Sequence, residues 1–113
     1  MSEVSKAVLT LSLRDQASLY RAYMSFLRNG GLFVPTQKSY RLGEDVLIEL
    51  HLMDEPERRL IEGKVVWLTP AGAQGNRATG IGVEFSLEAA SDNEDIENYL
   101  AGMLDSGRAT HTL

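Results

Sequence analysis

The segment from Arg59 to Phe85 restricts the fold of this chain more than any other. It holds two strand-like blocks, residues 60–68 and 80–85, joined by a connection over 69–79 that carries glycine, asparagine and proline. The first block is rich in β-branched and aromatic residues, which fit a pleated, half-buried surface. In the second, period-two spacing places Ile81, Val83 and Phe85 on one face and Gly80, Gly82 and Glu84 on the other. Glycines alternating on one face leave room for something large to lie across it, with Trp67 or a helix as the candidate occupant. The two blocks read as an antiparallel hairpin at the centre of a small β-domain.

Strand periodicity recurs on both sides of this hairpin. Residues 6–13 alternate, with Leu9, Leu11 and Leu13 set against Thr10 and Ser12, which predicts a strand with one buried face. The period then lengthens: Leu19, Ala22, Tyr23, Phe26 and Leu27 fall on one helical stripe. Asp15 stands as N-cap, and Asn29-Gly30-Gly31 supplies residues suited to ending a helix, so a short helix is predicted over about 16–28. Tyr20 lies roughly 80° off the apolar stripe and is expected at the surface. Gly31 to Val34 is a short strand stopped by Pro35, residues 36–41 are a loop, and Gly43 is a turn. The clearest strand is 45–52, with Val46, Ile48, Leu50 and Leu52 inward and Leu47, Glu49 and His51 outward. Residues 53–58 form the loop back into Arg59. After Phe85, Ser91 and Glu94 fit a capping box, and Asp92, Glu94, Asp95 and Glu97 complement a helix N-terminus. Ile96, Tyr99, Leu100, Met103 and Leu104 form the apolar stripe of a helix over about 92–104, expected to cover an open face or mouth of the sheet. A mainly β fold follows: a small antiparallel barrel or sandwich closed by the C-terminal helix.

The chain has 113 residues, enough for one core, so a single domain over 1–113 is expected, with 1–5 and 106–113 flexible. Without cysteine there is no disulfide, zinc-thiolate site or thiol nucleophile. No apolar run approaches the length of a membrane span, and the first residues lack a secretion-signal pattern, so the expected location is the cytoplasm. A net charge of −5 argues against a nucleic-acid partner, which needs clustered Lys and Arg.

No constellation in the sequence carries catalytic chemistry. His51 lies on an outward strand face and His111 in the tail, neither spaced with carboxylates as a metal site. No serine stands in a nucleophile elbow, and no helix follows the Gly80–Gly82 pair as in a phosphate loop. The acidic run 88–97 lacks the spacing of a calcium loop. The expectation is a non-enzyme with no catalytic, cofactor or metal residues.

Gly43 with Val46-Leu47-Ile48-Glu49-Leu50, Gly63-Lys64-Val65-Val66-Trp67 and Gly80-Ile81-Gly82-Val83-Glu84-Phe85 together resemble the PilZ domain family, over about residues 31–104. Three further stretches, 19–24, 29–36 and 69–77, are similar to the stand-alone members that serve type IV pilus assembly. Family members that bind cyclic di-GMP carry Arg-x-x-x-Arg followed by Asp/Asn-x-Ser-x-x-Gly. In this chain Gly31 in the final position puts Phe26 and Arg28 where the acidic and serine residues belong. The residues four after Arg14, Arg21 and Arg28 are Ser18, Ser25 and Leu32. The resemblance therefore implies a non-catalytic adaptor without its own cyclic di-GMP site. Its implied partners are the pilus-extension ATPase PilB and the EAL-domain regulator FimX.

An adaptor surface favours large aromatics with few rotamers. Tyr20, Tyr23, Phe33 and Trp67 are the candidate partner-binding residues, although Trp67 shares a strand face with Ile61 and Val65 and reads equally as core. The 69–77 loop and the 106–113 tail are weaker candidates. Two other readings stand beside the adaptor. One is an atypical cyclic di-GMP receptor using Arg14, Arg21 or Arg28. The other is a structural domain with a homodimer seam, whereas the adaptor reading expects a monomer.

Overall fold

The computed structural model describes residues 7–69 and 79–105, with side chains through residue 102. Residues 1–6, most of the 69–79 connection, the tail with His111, and the side chains of Met103 and Leu104 lie outside the described residues.

Five strands form one sheet: β1 (Ala7–Leu13), β2 (Gly31–Pro35), β3 (Asp45–Leu52), β4 (Arg59–Thr69) and β5 (Gly80–Phe85). Helix α1 (Gln16–Ala22) lies between β1 and β2, and α2 (Ala90–Asp105) follows a 3-10 turn at Leu87–Ala89. Across the sheet the order is β1-β3-β4-β5-β2. The predicted β4–β5 hairpin is present as an antiparallel pair, and β3 and β2 flank it, also antiparallel.

The sheet departs from the expected closed antiparallel barrel in two respects. β1 runs parallel to β3, from Ala7 opposite Val46 to Leu13 opposite Leu52. Such a pairing needs a long crossover, which α1 and β2 provide. Among the described residues β1 and β2 do not pair with each other, so the sheet is a mixed half-barrel rather than a closed barrel or sandwich.

The strand alternation builds the core. Val46, Ile48, Leu50 and Leu52 of β3 are fully buried, beside Leu9, Leu11 and Leu13 of β1 and Ile61 and Val65 of β4. Ile81, Val83 and Phe85 complete the concave face, and Leu19 of α1 with Ile96 and Leu100 of α2 closes it.

Both helices depart from their predicted bounds. Asp15 caps α1 by accepting from the Ser18 amide at 2.8 Å, but the helix ends at Ala22 rather than 28. Tyr23 is extended and bridges to Leu32, and the Met24 amide donates to the Gly31 carbonyl at 2.9 Å. Pairing with the edge of β2 thus replaces further helical bonds. Residues 24–30 become a turn that ends at Gly30, with φ of 76°, and Phe26 is left 72% exposed instead of buried. α2 begins earlier than predicted. The Leu87–Ala89 turn carries the chain directly into it, so Ser91 lies inside the helix and does not cap it.

Candidate partner-binding surfaces

The four aromatic candidates divide between two surfaces. The first lies where α1 meets α2. The Gln16 side-chain amide donates to the Tyr99 carbonyl at 3.1 Å and ties the two helices together. Tyr23 follows the last turn of α1, and its hydroxyl sits 2.8 Å from both Glu97 Oε2 and Asn93 Oδ1. Having one proton, it donates to the carboxylate, the stronger acceptor. Burial first, and then the hydrogen bond and charge of Glu97, push the Tyr23 hydroxyl up to about 12. The phenol is therefore neutral and fixed. Tyr20 is 59% exposed, as its helical angle predicted. Between the helices lies an open groove of about 560 Å³, walled by Tyr20, Arg21 and Tyr23 on one side and by Glu97, Leu100 and Ala101 on the other.

The second surface is the convex face of the sheet around Gly82. The ladder between β4 and β5 runs in step as far as Val65 opposite Val83 and then slips, so that Trp67 rather than Val66 stands opposite Gly82. An extra residue of this kind is a β-bulge, and it moves every later side chain to the other face. Val65 exchanges backbone hydrogen bonds with Gly43 and Glu44 at 2.7 and 2.9 Å, which holds the strand on the opposite side. Trp67 consequently does not share the face of Ile61 and Val65. It turns outward and is 45% exposed. Its indole N–H donates to Thr69 Oγ1 at 2.9 Å, and Thr69 is buried beneath it.

Gly82 has a second cross-strand partner, Phe33 of β2. Phe33 and Trp67 therefore flank it from either side on one face. A Cβ at position 82 would meet Trp67 Cβ at 2.8 Å and the Met24 sulfur and methyl at 2.9 Å, and one at position 80 would meet Phe33 Cζ at 2.6 Å. The room left by the two glycines is thus filled by Trp67, Phe33 and Met24. Met24 was absent from the candidates because its helical stripe did not single it out. The signal for it is the loss of helix after Ala22, which turns successive side chains to opposite faces and sends Tyr23 toward α2 and Met24 over Gly82.

A charged cluster links the β3–β4 loop to α2. Arg59 donates to both oxygens of Glu55 at 2.8 and 2.9 Å, to Asp92 at 3.0 Å and to Asp95 at 2.8 Å, and the Tyr99 hydroxyl donates to Glu55 at 2.7 Å. The Arg59 hydrogen bonds hold the Glu55 carboxyl below the usual range, and those carboxylates raise the guanidinium. Two acids of the 88–97 run are thereby committed to structure. No group of three or more His, Cys, Asp or Glu among the described residues is arranged to hold a metal ion. Nor, among those residues, is any helix long and apolar enough to cross a membrane.

Of the three arginines weighed for a nucleotide, Arg14 donates to the Met53 and Glu55 carbonyls at 2.8 and 3.3 Å, while Arg21 and Arg28 are exposed. A family model described as PilZ domain matches residues 5–102 of the chain. No curated protein matches it.

Proposed function

Since this chain belongs to the PilZ domain family, a family of non-catalytic adaptor and receptor modules, we propose that it is an adaptor of type IV pilus biogenesis and twitching motility. In this reading it is a cytoplasmic relative of the stand-alone pilus assembly members. It binds protein partners, the PilB ATPase and the EAL-domain regulator FimX, and leaves cyclic di-GMP to be sensed by the partner. Tyr20 and Tyr23 on the helical groove and Phe33 and Trp67 on the convex sheet face are the contact residues.

The observation that carries this reading is the outward turn of Trp67 by the bulge, which sets a large aromatic beside Phe33 on an open sheet face. Exposed aromatics with few rotamers are typical anchors of protein interfaces. Two separate surfaces also suit a protein that joins two partners. The nucleotide-receptor alternative needs paired guanidinium groups to clamp phosphates. Arg14 already serves two loop carbonyls, and the sequence lacks the paired-arginine spacing.

Calorimetric titration at moderate salt tests the reading. Cyclic di-GMP should give no heat beyond dilution, whereas purified PilB or the FimX EAL domain should give a saturable isotherm. Micromolar binding of the dinucleotide would overturn the adaptor reading, and so would the absence of binding to both proteins.

A further inference from the structure

The geometry points to a second interaction surface: we propose that the free edge of β1 pairs antiparallel with β1 of a second copy, joining two half-barrels into one continuous sheet. The direction of the backbone groups supports this. The Leu13 carbonyl accepts from the Met53 amide at 2.8 Å, so the main-chain groups of Leu13 face β3. Main-chain groups alternate sides along a strand. Ala7, Leu9 and Leu11 therefore also bond toward β3, while Val8, Thr10 and Ser12 aim their N–H and C=O groups away from it. Among the described residues no strand lies beyond β1. Val8, Thr10 and Ser12 are all exposed, Val8 at 56%.

Proteins ordinarily blunt such an edge with proline, a charged residue or a bulge. Ala7–Leu13 has none of these, and its pairing with β3 runs without a register shift. β2, at the other end of the sheet, is treated differently, because it is bridged by Tyr23 and stopped by Pro35.

A second copy suits the edge because the edge is self-complementary. A twofold axis through Thr10 sets Thr10 opposite its own counterpart and Val8 opposite Ser12, all as hydrogen-bonded pairs, for about six backbone hydrogen bonds. Threonine facing threonine is a favourable cross-strand pair. The chain carries a net charge of −5, yet this strand has no charged side chain of its own. The carboxylate beside Thr10, Glu49 of β3, accepts from the Thr10 hydroxyl at 3.0 Å and is paired with Arg58 at 2.6 Å. One strand pair buries an area at the low end for specific interfaces, so association is weak, on the order of tens to hundreds of micromolar. At low concentration the chain is a monomer.

Sedimentation equilibrium from about 10 μM to 1 mM, with amide hydrogen exchange at both limits, tests the proposal. The average mass should rise from 12.5 kDa toward twice that value. The amides of Val8, Thr10 and Ser12 should gain protection with concentration, while those of Leu9 and Leu11 stay protected throughout. Thr10→Pro removes an outward N–H and no main-chain bond to β3, and the loss of the Thr10 hydroxyl bond to Glu49 at 3.0 Å is shared by the Thr10→Val control. Thr10→Glu places carboxylates across the axis beside Glu49. Each should keep the chain at monomer mass with its circular dichroism spectrum retained, whereas Thr10→Val should still associate. The proposal is overturned by monomer mass at 1 mM, by amides 8, 10 and 12 protected at 10 μM, or by association that survives both Thr10→Pro and Thr10→Glu.

Discussion

Trp67 stands directly opposite Gly82 across the β4–β5 ladder, and its Cβ lies 2.8 Å from where a side chain at position 82 would begin. Trp67 Cβ is anchored to the backbone of β4, so it cannot yield as the flexible tip of Met24 can. The outward face of the sheet is therefore built around an absent side chain.

Gly82→Ala should consequently destabilise the fold by about 1–3 kcal/mol, the usual cost of overpacking. This exceeds the several tenths that alanine returns by restricting the unfolded chain. Urea unfolding followed by the fluorescence of the single tryptophan measures it. The native emission should shift as well, since Trp67 itself must move. Unchanged stability and emission would mean that the close approach is absent in solution.

What could be read in the sequence was whatever one strand or one turn decides alone. The alternation of Val46, Ile48, Leu50 and Leu52 is local, and each of these residues is buried. Asp15 and Gly43 likewise act within a few residues of themselves, one as a cap and one in a turn with φ of 89°. The features that escaped depend on partners distant in sequence. The stripe through Tyr23, Phe26 and Leu27 favoured continued helix, but Leu32 and Gly31 offered Tyr23 and Met24 a pairing edge. Nothing in Gly63-Lys64-Val65-Val66-Trp67 marks where the extra residue of the bulge falls. Strand orientation escaped too, because β1 pairs with β3 only after the chain has passed through α1 and β2. The exposure of Tyr20 was legible from its helical angle alone, whereas that of Trp67 depended on the bulge.

Arg59 ties Glu55, Asp92 and Asp95 together, and its side chain is 21% exposed. Arg59→Ala should cost roughly 1–3 kcal/mol, since it removes several charge-assisted hydrogen bonds and leaves carboxylates facing one another in partial burial. The pH dependence has a definite sign. The folded-state pKa of Glu55 is depressed by Arg59, so its contribution is present above the ordinary value of 4.5 and is lost as pH falls through the lower folded value. Urea midpoints from pH 6 to pH 3 should show the fall in the native protein and a shallower fall in Arg59→Ala. Parallel curves would show that the cluster contributes nothing to acid stability.

The Tyr23 hydroxyl offers a spectroscopic check of the α1–α2 contact. With its pKa raised from 10.0 to about 12, the neutral phenol stabilises the fold at every pH below 10, and that contribution is lost as pH rises toward 12. The hydrogen bond to Glu55 raises Tyr99 as well, so absorbance titration near 295 nm should show more than one tyrosine ionising late, and Tyr23→Phe should remove the step near 12. At neutral pH the same substitution should cost about 0.5–1.5 kcal/mol, the usual net worth of one hydrogen bond. If the step near 12 persists at full amplitude in Tyr23→Phe, it does not belong to Tyr23.

Tyr20 separates binding from folding most cleanly. It is 59% exposed and lies off the buried side of α1, where Leu19 alone is buried. Tyr20→Ala should therefore change stability by no more than about 0.5 kcal/mol, as exposed positions ordinarily do. If the groove is a partner surface, the same change should weaken binding to PilB or to the FimX EAL domain about tenfold or more, the loss expected on truncating an interface aromatic. If the sheet face is a partner surface, Trp67→Ala should weaken binding likewise, at a modest cost in stability because its indole covers Thr69. Paired titrations and unfolding curves on both variants decide the assignment. Each variant losing a different partner would place the two proteins on separate surfaces. Full affinity for both partners in both variants would remove Tyr20 and Trp67 from the interfaces altogether.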